Sequence, residues 1–241
     1  MKIRIKFKKF GSMKFLGHLD VMRFFQKALR RAQLDICYTG GFSPHPVMSF
    51  ASPLGVGLTS DGEYLDIEVN SCGSSAEMVE RLNEVMVEGV EIVSFRILPN
   101  KMKSAMSQVA AADYRLTFRP GYEPGDWHLW EEKWREFASL PSLVVVKKTK
   151  KKEQEADLRP LIHSLSLDSA GISMRVAAGS VNNLKPEFLM ETFYHMAGWE
   201  WNPFTFQIHR QDLYMENNGA FVSMEEAGQE IDRPLAGEAM G

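Results

Sequence analysis

The first seven residues alternate in character. Met1, Ile3, Ile5 and Phe7 are apolar, and Lys2, Arg4 and Lys6 between them are basic. A period of two sends successive side chains to opposite faces, which predicts a strand with one buried face. The period then changes. Val21, Phe25, Ala28, Leu29 and Ala32 recur at spacings of three and four, predicting a helix over about 18–33 with one apolar face. Gly40-Gly41 and the two prolines of GFSPHP stop regular structure. Residues 47–58 read as a strand and 64–69 as its hairpin partner, with Ser60-Asp61-Gly62 as the turn. Ser74 and Ser75 cap a helix to about residue 87, with Met78, Leu82 and Val85 on one face. Residues 90–98 close the unit with a strand. The order strand-helix-strand-strand-helix-strand is the ferredoxin-like pattern.

Residues 100–112 are small and polar and are expected to link a unit at 1–99 to a second one at 113–215. The second half repeats the order less cleanly: a strand at 114–119, a helix at 126–138 and strands at 143–148 and 172–177. A helix then starts at Pro186, and a last strand covers 204–209. KKTKKKEQEADLRPLIHSLSL interrupts it as an insertion. The fold expected is α+β, two tandem ferredoxin-like units with antiparallel sheets, the second a diverged copy. Residues 216–241 are acidic, rich in Gly and Ala and aperiodic, and read as a disordered tail.

The length of 241 residues allows one large domain or two small ones. No stretch approaches the roughly 18 apolar residues of a membrane span, and the alternating N-terminus is not a secretory signal. With only Cys37 and Cys72, a disulfide scaffold is not expected and a reducing cytoplasm fits. The net charge of −3 conceals an asymmetry. Residues 1–50 hold ten Lys/Arg against two Asp/Glu, a balance of +8, and residues 51–112 carry −5. A basic end suggests a polyanion partner; the competing reading is that these cations pair with the acidic segment that follows.

Two cysteines cannot ligate an iron–sulfur cluster by themselves, so this chain is not itself a radical SAM enzyme. It has no P-loop, GxSxG elbow or HExxH, and no metal or cofactor is expected. Gly55-Val56-Gly57 reads as a bulge or close packing within a strand. His45, between Pro44 and Pro46, should sit on a stiff extended loop. There it is either an acid, base or ligand, or a loop histidine bonded to backbone. His18 and Asp20 at the start of the first helix either orient one another or a phosphate, or cap the helix. Lys2, Arg4 and Lys6 lie on the sheet face away from the helices, either the open basic face that RNA-recognition modules present or, because Tyr64, Asp66 and Glu68 share it, a face where cross-strand ion pairs take up much of the charge. More weight falls on Arg23, Lys27, Arg30 and Arg31, a basic stripe on the outer face of the first helix. Lys150, Lys151 and Lys152 form either a basic arm that touches phosphates or a charged hairpin tip. Asp157 and Arg159, two apart before a proline, form either a fixed loop ion pair or part of a site, and Trp127, Trp130 and Trp134 suit core packing over base stacking.

FLGHLDVMRFFQKALRRA, GFSPHPVMSFASPLGVGLTSDGEYLDIE and ADLRPLIHSL together resemble a family of proteins joined to, or encoded beside, cobalamin-binding radical SAM proteins. The resemblance covers roughly residues 1–210, most specifically the first 70. It implies a cobalamin-binding radical SAM partner, here a separate chain because this one begins directly at its first strand. The family's genes lie near those for ribonuclease G and ribosomal proteins, which implies RNA as the substrate. The resemblance carries over no catalytic residues. A tandem ferredoxin-like layout is also similar to that of the endoribonucleases that process CRISPR transcripts, but their glycine-rich signature near the C-terminus is missing here. The leading expectation is a non-catalytic cytoplasmic module, with no membrane contact, that presents tRNA or rRNA to the partner. The alternatives are a metal-independent ribonuclease using His45 or His18, and a structural subunit.

Overall fold

In the computed structural model, which describes residues 1–148 and 153–236, the N-terminal alternation becomes β1 (Lys2–Lys9), with Ile3, Ile5 and Phe7 buried. The three-and-four spacing becomes α1 (His18–Arg31), and its whole apolar face, Val21 to Ala32, is buried on that strand. The chain continues through β2 (Asp35–Ile36), β3 (Met48–Phe50), β4 (Thr59–Cys72), α2 (Ser75–Asn83) and β5 (Val90–Ile97). Ser74 caps α2 by accepting from the Glu77 N–H. Next come α3 (Ala105–Gln108), β6 (Val109–Phe118), α4 (Trp127–Ser139), β7 (Val144–Lys148) and β8 (Glu153–Asp157). Last are β9 (Ile162–Asp168), β10 (Gly171–Ala177), α5 (Pro186–Met196), β11 (Phe206–Asn217), β12 (Ala220–Ser223) and β13 (Leu235–Ala236).

The result is a mixed α+β fold around one large, mostly antiparallel sheet. Its main path runs β5-β1-β4-β11-β6-β10-β9, while β2, β3 and β13 pair with β4 and β12 pairs with β11. One short parallel contact, His209 opposite Thr59 and Arg210 opposite Ser60, joins the two halves through β4 and β11. One core lies between β1, β4 and helices α1 and α2. The other gathers Trp130, Trp134, Phe193 and Leu189 over β6, β10 and β11. Trp130 and Trp134 are 2% exposed, as core packing requires, whereas Trp127 keeps 41% of its surface.

Several expectations need correction. The strand expected over 47–58 is confined to Met48–Phe50, and the chain then leaves the sheet so that Leu54 and Leu58 enter the second core. Gly55-Val56-Gly57 therefore lies in a turn, where Gly57 has φ +89° and donates its N–H to the Lys14 carbonyl at 2.8 Å. Ser60-Asp61-Gly62 is not a turn either: it lies inside β4, pairing with β1 on one side and meeting β11 on the other. The strand at 143–148 does not enter the main sheet but forms a separate hairpin with β8, and the edge position is taken by β9 from within the expected insertion.

Two further corrections concern segments read from composition. Residues read as linker at 100–112 are small because backbone packs closely there: Ala105, Ala111 and Ala112 have no exposed surface, and β6 already begins at Val109. The acidic tail, expected to be disordered from 216, continues β11 and adds β12 and β13, with Met224 and Ile231 buried. Residues 237–241 lie outside the described residues. No described helix is long and apolar enough to cross a membrane.

Candidate functional site

The cations of β1 are spent inside the protein. Cross-strand register sets Lys2 opposite Glu68, Arg4 opposite Asp66 and Lys6 opposite Tyr64. Arg4 Nε donates to Asp66 Oδ1 at 2.8 Å, and the pair is 1% and 3% exposed. Lys6 reaches Glu225 at 3.0 Å, and Lys8 reaches Glu91 at 3.1 Å. This face is closed by α3 and the C-terminal segment: Arg4 also donates to the Met224 carbonyl (3.0 Å) and Gln108 Oε1 (2.9 Å). The expected cross-strand pairing holds for Arg4 with Asp66, whereas Lys6 turns to Glu225 and Lys2 donates to the Met102 carbonyl at 3.1 Å.

Among the described residues, pairing with the acidic segment does not extend to α1. Arg23, Lys27, Arg30 and Arg31 are all exposed along its outer side. Arg23 makes a long contact of 3.4 Å with Asp20, with both side chains more than half exposed, an arrangement worth little against solvent. Arg31 donates to the Val85 carbonyl at 2.8 Å, tying α1 to the loop after α2. Lys27 and Arg30 reach no carboxylate among the described residues. The neighbouring helix is acidic, with Glu77, Glu80 and Glu84 exposed. The helical surface of the first half is thus a basic ridge beside an acidic one, and a polyanion would be drawn to one and turned away by the other. Lys150, Lys151 and Lys152 lie outside the described residues.

His45 is exposed on a narrow loop. Backbone bonds from Thr39 N–H to His45 O (2.9 Å) and Val47 N–H to Cys37 O (2.8 Å) hold the loop's stem. Its Nδ1 lies 3.1 Å from Thr39 Oγ1 and 3.3 Å from the Ser43 carbonyl. These contacts match the loop histidine bonded to its own loop, and they bring no carboxylate, amine or second imidazole to it. His18 and Asp20 do not orient one another. The cap of α1 is Gly17, without a side-chain bond, so the capping expected of Asp20 is absent and its carboxylate turns to Arg23. The His18 ring sits edge-on to Phe50 at 5.3 Å. His163 stands apart, tilted against Phe221 at 4.5 Å. Asp157 fixes its loop by accepting from the Leu143 (2.7 Å) and Arg159 (2.9 Å) N–H groups, which hold its carboxyl below the usual carboxylate range.

A buried polar cluster at the seam of the two halves escaped the sequence. Arg210 Nη1 donates to Glu63 Oε1 at 3.0 Å and to the Ser52 carbonyl at 3.1 Å, and its Nε and Nη2 reach Tyr114 Oη at 3.2 and 3.1 Å. Lys9, 3% exposed, donates to the Leu16 carbonyl at 2.9 Å. With His18 and Glu63 it lines a cavity of about 20 Å³, room for one water molecule. Burial pushes the Glu63 carboxyl up against the pull of Arg210. Burial likewise lowers the Lys9 ammonium against the pull of Glu63. The cavity is too small for a substrate, so the cluster fastens the seam. Among the described residues no group of three or more His, Cys, Asp or Glu could hold a metal ion.

A family model described as "Uncharacterized protein conserved in bacteria (DUF2344)" matches residues 2–186, which includes the basic helix and the His45 loop but stops before β11. No curated protein matches the chain. Among solved structures, it is similar to a chain from the "Crystal Structure of a Cbf5-Nop10-Gar1 Complex", with a TM-score of 0.47 and 10% identity. The match covers 89% of this chain and 50% of that one, so the present chain spans about half the length of the structure it matches.

Proposed function

The chain belongs to the DUF2344 family of proteins conserved in bacteria, and from that premise we propose that it is a non-catalytic RNA-binding module. It holds tRNA or rRNA on α1 and presents it to a separate cobalamin-binding radical SAM protein in the cytoplasm. The observation that carries this reading is the contrast between two sets of cations. Arg4, Lys6 and Lys8 of β1 are paired with carboxylates and Lys2 and Lys9 with backbone carbonyls, whereas Lys27 and Arg30, with Arg23 beside them, face solvent with little or no carboxylate pairing among the described residues. A line of such cations on a rigid helix is an electrostatic footprint for a phosphate backbone. The strand orders β5-β1-β4 with β2 and β3, and β11-β6-β10-β9, support reading the chain as two ferredoxin-like units. The radical SAM partner rests on the resemblance carried by the first seventy residues. Among the described residues His45 bonds Thr39 and the Ser43 carbonyl and no second acid or base, which favours binding over cleavage.

The test is a salt titration of the full chain against total tRNA and ribosomal RNA. Affinity should fall steeply with salt because bound phosphates release counterions. The R23E/K27E/R30E variant should lose most binding while keeping its unfolding midpoint, and its salt slope should fall by about one for each phosphate that is no longer neutralised. Unchanged affinity in that variant, or no binding by the native chain at low salt, would remove the RNA reading. Co-purification with the radical SAM protein, followed by sequencing of bound RNA, identifies the substrate.

A further inference from the structure

The two ends of the main sheet are finished differently. At one end the outer edge of β5 is sealed. Asn83 Nδ2 donates to the Ile92 carbonyl at 3.0 Å, and the Ile92 N–H returns a bond to Asn83 Oδ1 at 2.8 Å. Ser75 Oγ donates to the Phe95 carbonyl at 2.5 Å. Gln229 and Ile97 exchange two backbone bonds of 2.9 Å. At the other end β9 pairs with β10 in register from Ser164 to Asp168 and, past a bulge at His163, again at Ile162, and among the described residues no backbone or side-chain group bonds its outer edge. Every second residue of β9 therefore turns its N–H and C=O to solvent. Proteins blunt such edges with Lys, Pro, bulges or a covering loop, and here the bulge is confined to His163 at the start of the strand. The stretch Ile162-His163-Ser164-Leu165-Ser166-Leu167 contains no Lys, Arg, Asp, Glu, Pro or Gly.

We propose that β9 is a dimerisation edge that pairs antiparallel with β9 of a second copy of the chain, about a two-fold axis normal to the sheet. Three observations select a second copy. Antiparallel pairing about such an axis sets each residue opposite one on the same face, so Ser164 and Ser166 meet serines and Leu165 meets a leucine. No like charges confront each other, because the paired stretch carries only Asp168 at its end. The sealed edge of β5 then stops the sheet from growing past the pair, so association closes at two copies. A seven-residue edge buries less than the roughly 1,200 Å² of a stable interface, so the dimer should dissociate in the micromolar range. This inference does not depend on RNA binding.

Sedimentation velocity of the full chain between about 1 and 100 μM brackets that dissociation constant. The native chain should shift from monomer to dimer over this range. Ser164 and Ser166 are exposed, so S164K/S166K and S164E/S166E should fold normally. Each variant alone should dimerise at least about tenfold more weakly, because like charges oppose across the axis. An equimolar mixture of the two should recover the dimer. Amide exchange in the native chain gives an independent reading: the outward N–H groups of β9 should slow as concentration rises. A native chain that stays monomeric, a dimer indifferent to both variants, a mixture that fails to recover, or β9 amides that do not slow would each overturn the proposal.

Discussion

Asp66 accepts three hydrogen bonds in the interior. Its two oxygens accept from Arg4 Nε and Nη2, and Oδ2 also takes the Ala105 N–H at 2.9 Å. Removing two ions from water costs several kcal/mol each, and only geometry of this kind offsets it. Asp66→Asn would leave the Arg4 charge buried beside a neutral amide. Urea denaturation should show the variant less stable by about 3–5 kcal/mol. R4M/D66L, which removes both ions, should lie closer to the native chain; equal losses in the two variants would mean that packing, not the charge pair, is responsible. The pairing itself was legible, because period-two alternation puts Arg4 and Asp66 on one face. What closes over it was not: the carbonyl that takes the last guanidinium bond belongs to Met224, 220 residues along the chain. The seam pair is hidden for the same reason, since Glu63 and Arg210 are 147 residues apart with no local pattern to connect them.

At the level of elements, the parallel contact between β4 and β11 is what makes one sheet from two halves, and Gly62 permits it. A Cβ at this position would meet Asp212 Oδ1 and lie 2.7 Å from Asp212 Cα and 2.8 Å from the Gln211 carbonyl oxygen. The last two are backbone, so they cannot swing aside even if the carboxylate does. Gly62→Ala should push the strands apart and destabilise the chain by about 1–3 kcal/mol, the usual cost of forced overpacking. Thermal unfolding measures the loss, and a midpoint equal to the native one would show that the join tolerates a methyl group. Locally, Ser-Asp-Gly is a strong turn signal, and nothing in its immediate neighbourhood reveals that a strand 150 positions away needs the space. The longer helices were legible because their period is self-contained: α1, its buried face and its basic stripe all follow from spacing, whereas the single turn of α3 lies in a stretch read as linker. Strand β9 was not, because its Ser-Leu alternation spans only a few residues inside a stretch that reads as an insertion.

The charge asymmetry of the whole molecule resolves in its last described residues. Composition reads the C-terminal segment as disordered because it is acidic and aperiodic, but its acids have seats. Glu225 lies 3.0 Å from Lys6 and 3.6 Å from Arg96, and Glu230 lies 3.3 Å from Arg96. Glu225 is held below the usual carboxylate range: burial works to raise it, and Lys6, Ser94 and Arg96 together outweigh burial. Ser223 donates to Asp212 at 2.7 Å, sharing that carboxylate with the Tyr64 hydroxyl at 2.5 Å. Ile231 exchanges bonds of 2.8 Å with Ser75 at the start of α2. The segment is thus a strap: Met224 and Glu225 cover Arg4 and Lys6 on the sheet face opposite α1 and α2, Gln229 passes the β5 edge at Ile97, and Ile231 reaches the core under α1 and α2. Ending the chain at Asn217 should therefore do two things. It should cost about 3–6 kcal/mol, the worth of burying Met224 and Ile231 at about 1.5–3 kcal/mol each. It should also uncover Lys6 and Arg96, so that RNA affinity, measured below the melting point of the truncated chain, becomes less sensitive to R23E/K27E/R30E than it is in the full chain. A truncated chain with the native urea midpoint would show that the strap is dispensable for stability, and one that depends on the α1 stripe as fully as the native chain would show that Lys6 and Arg96 take no part in binding even when exposed.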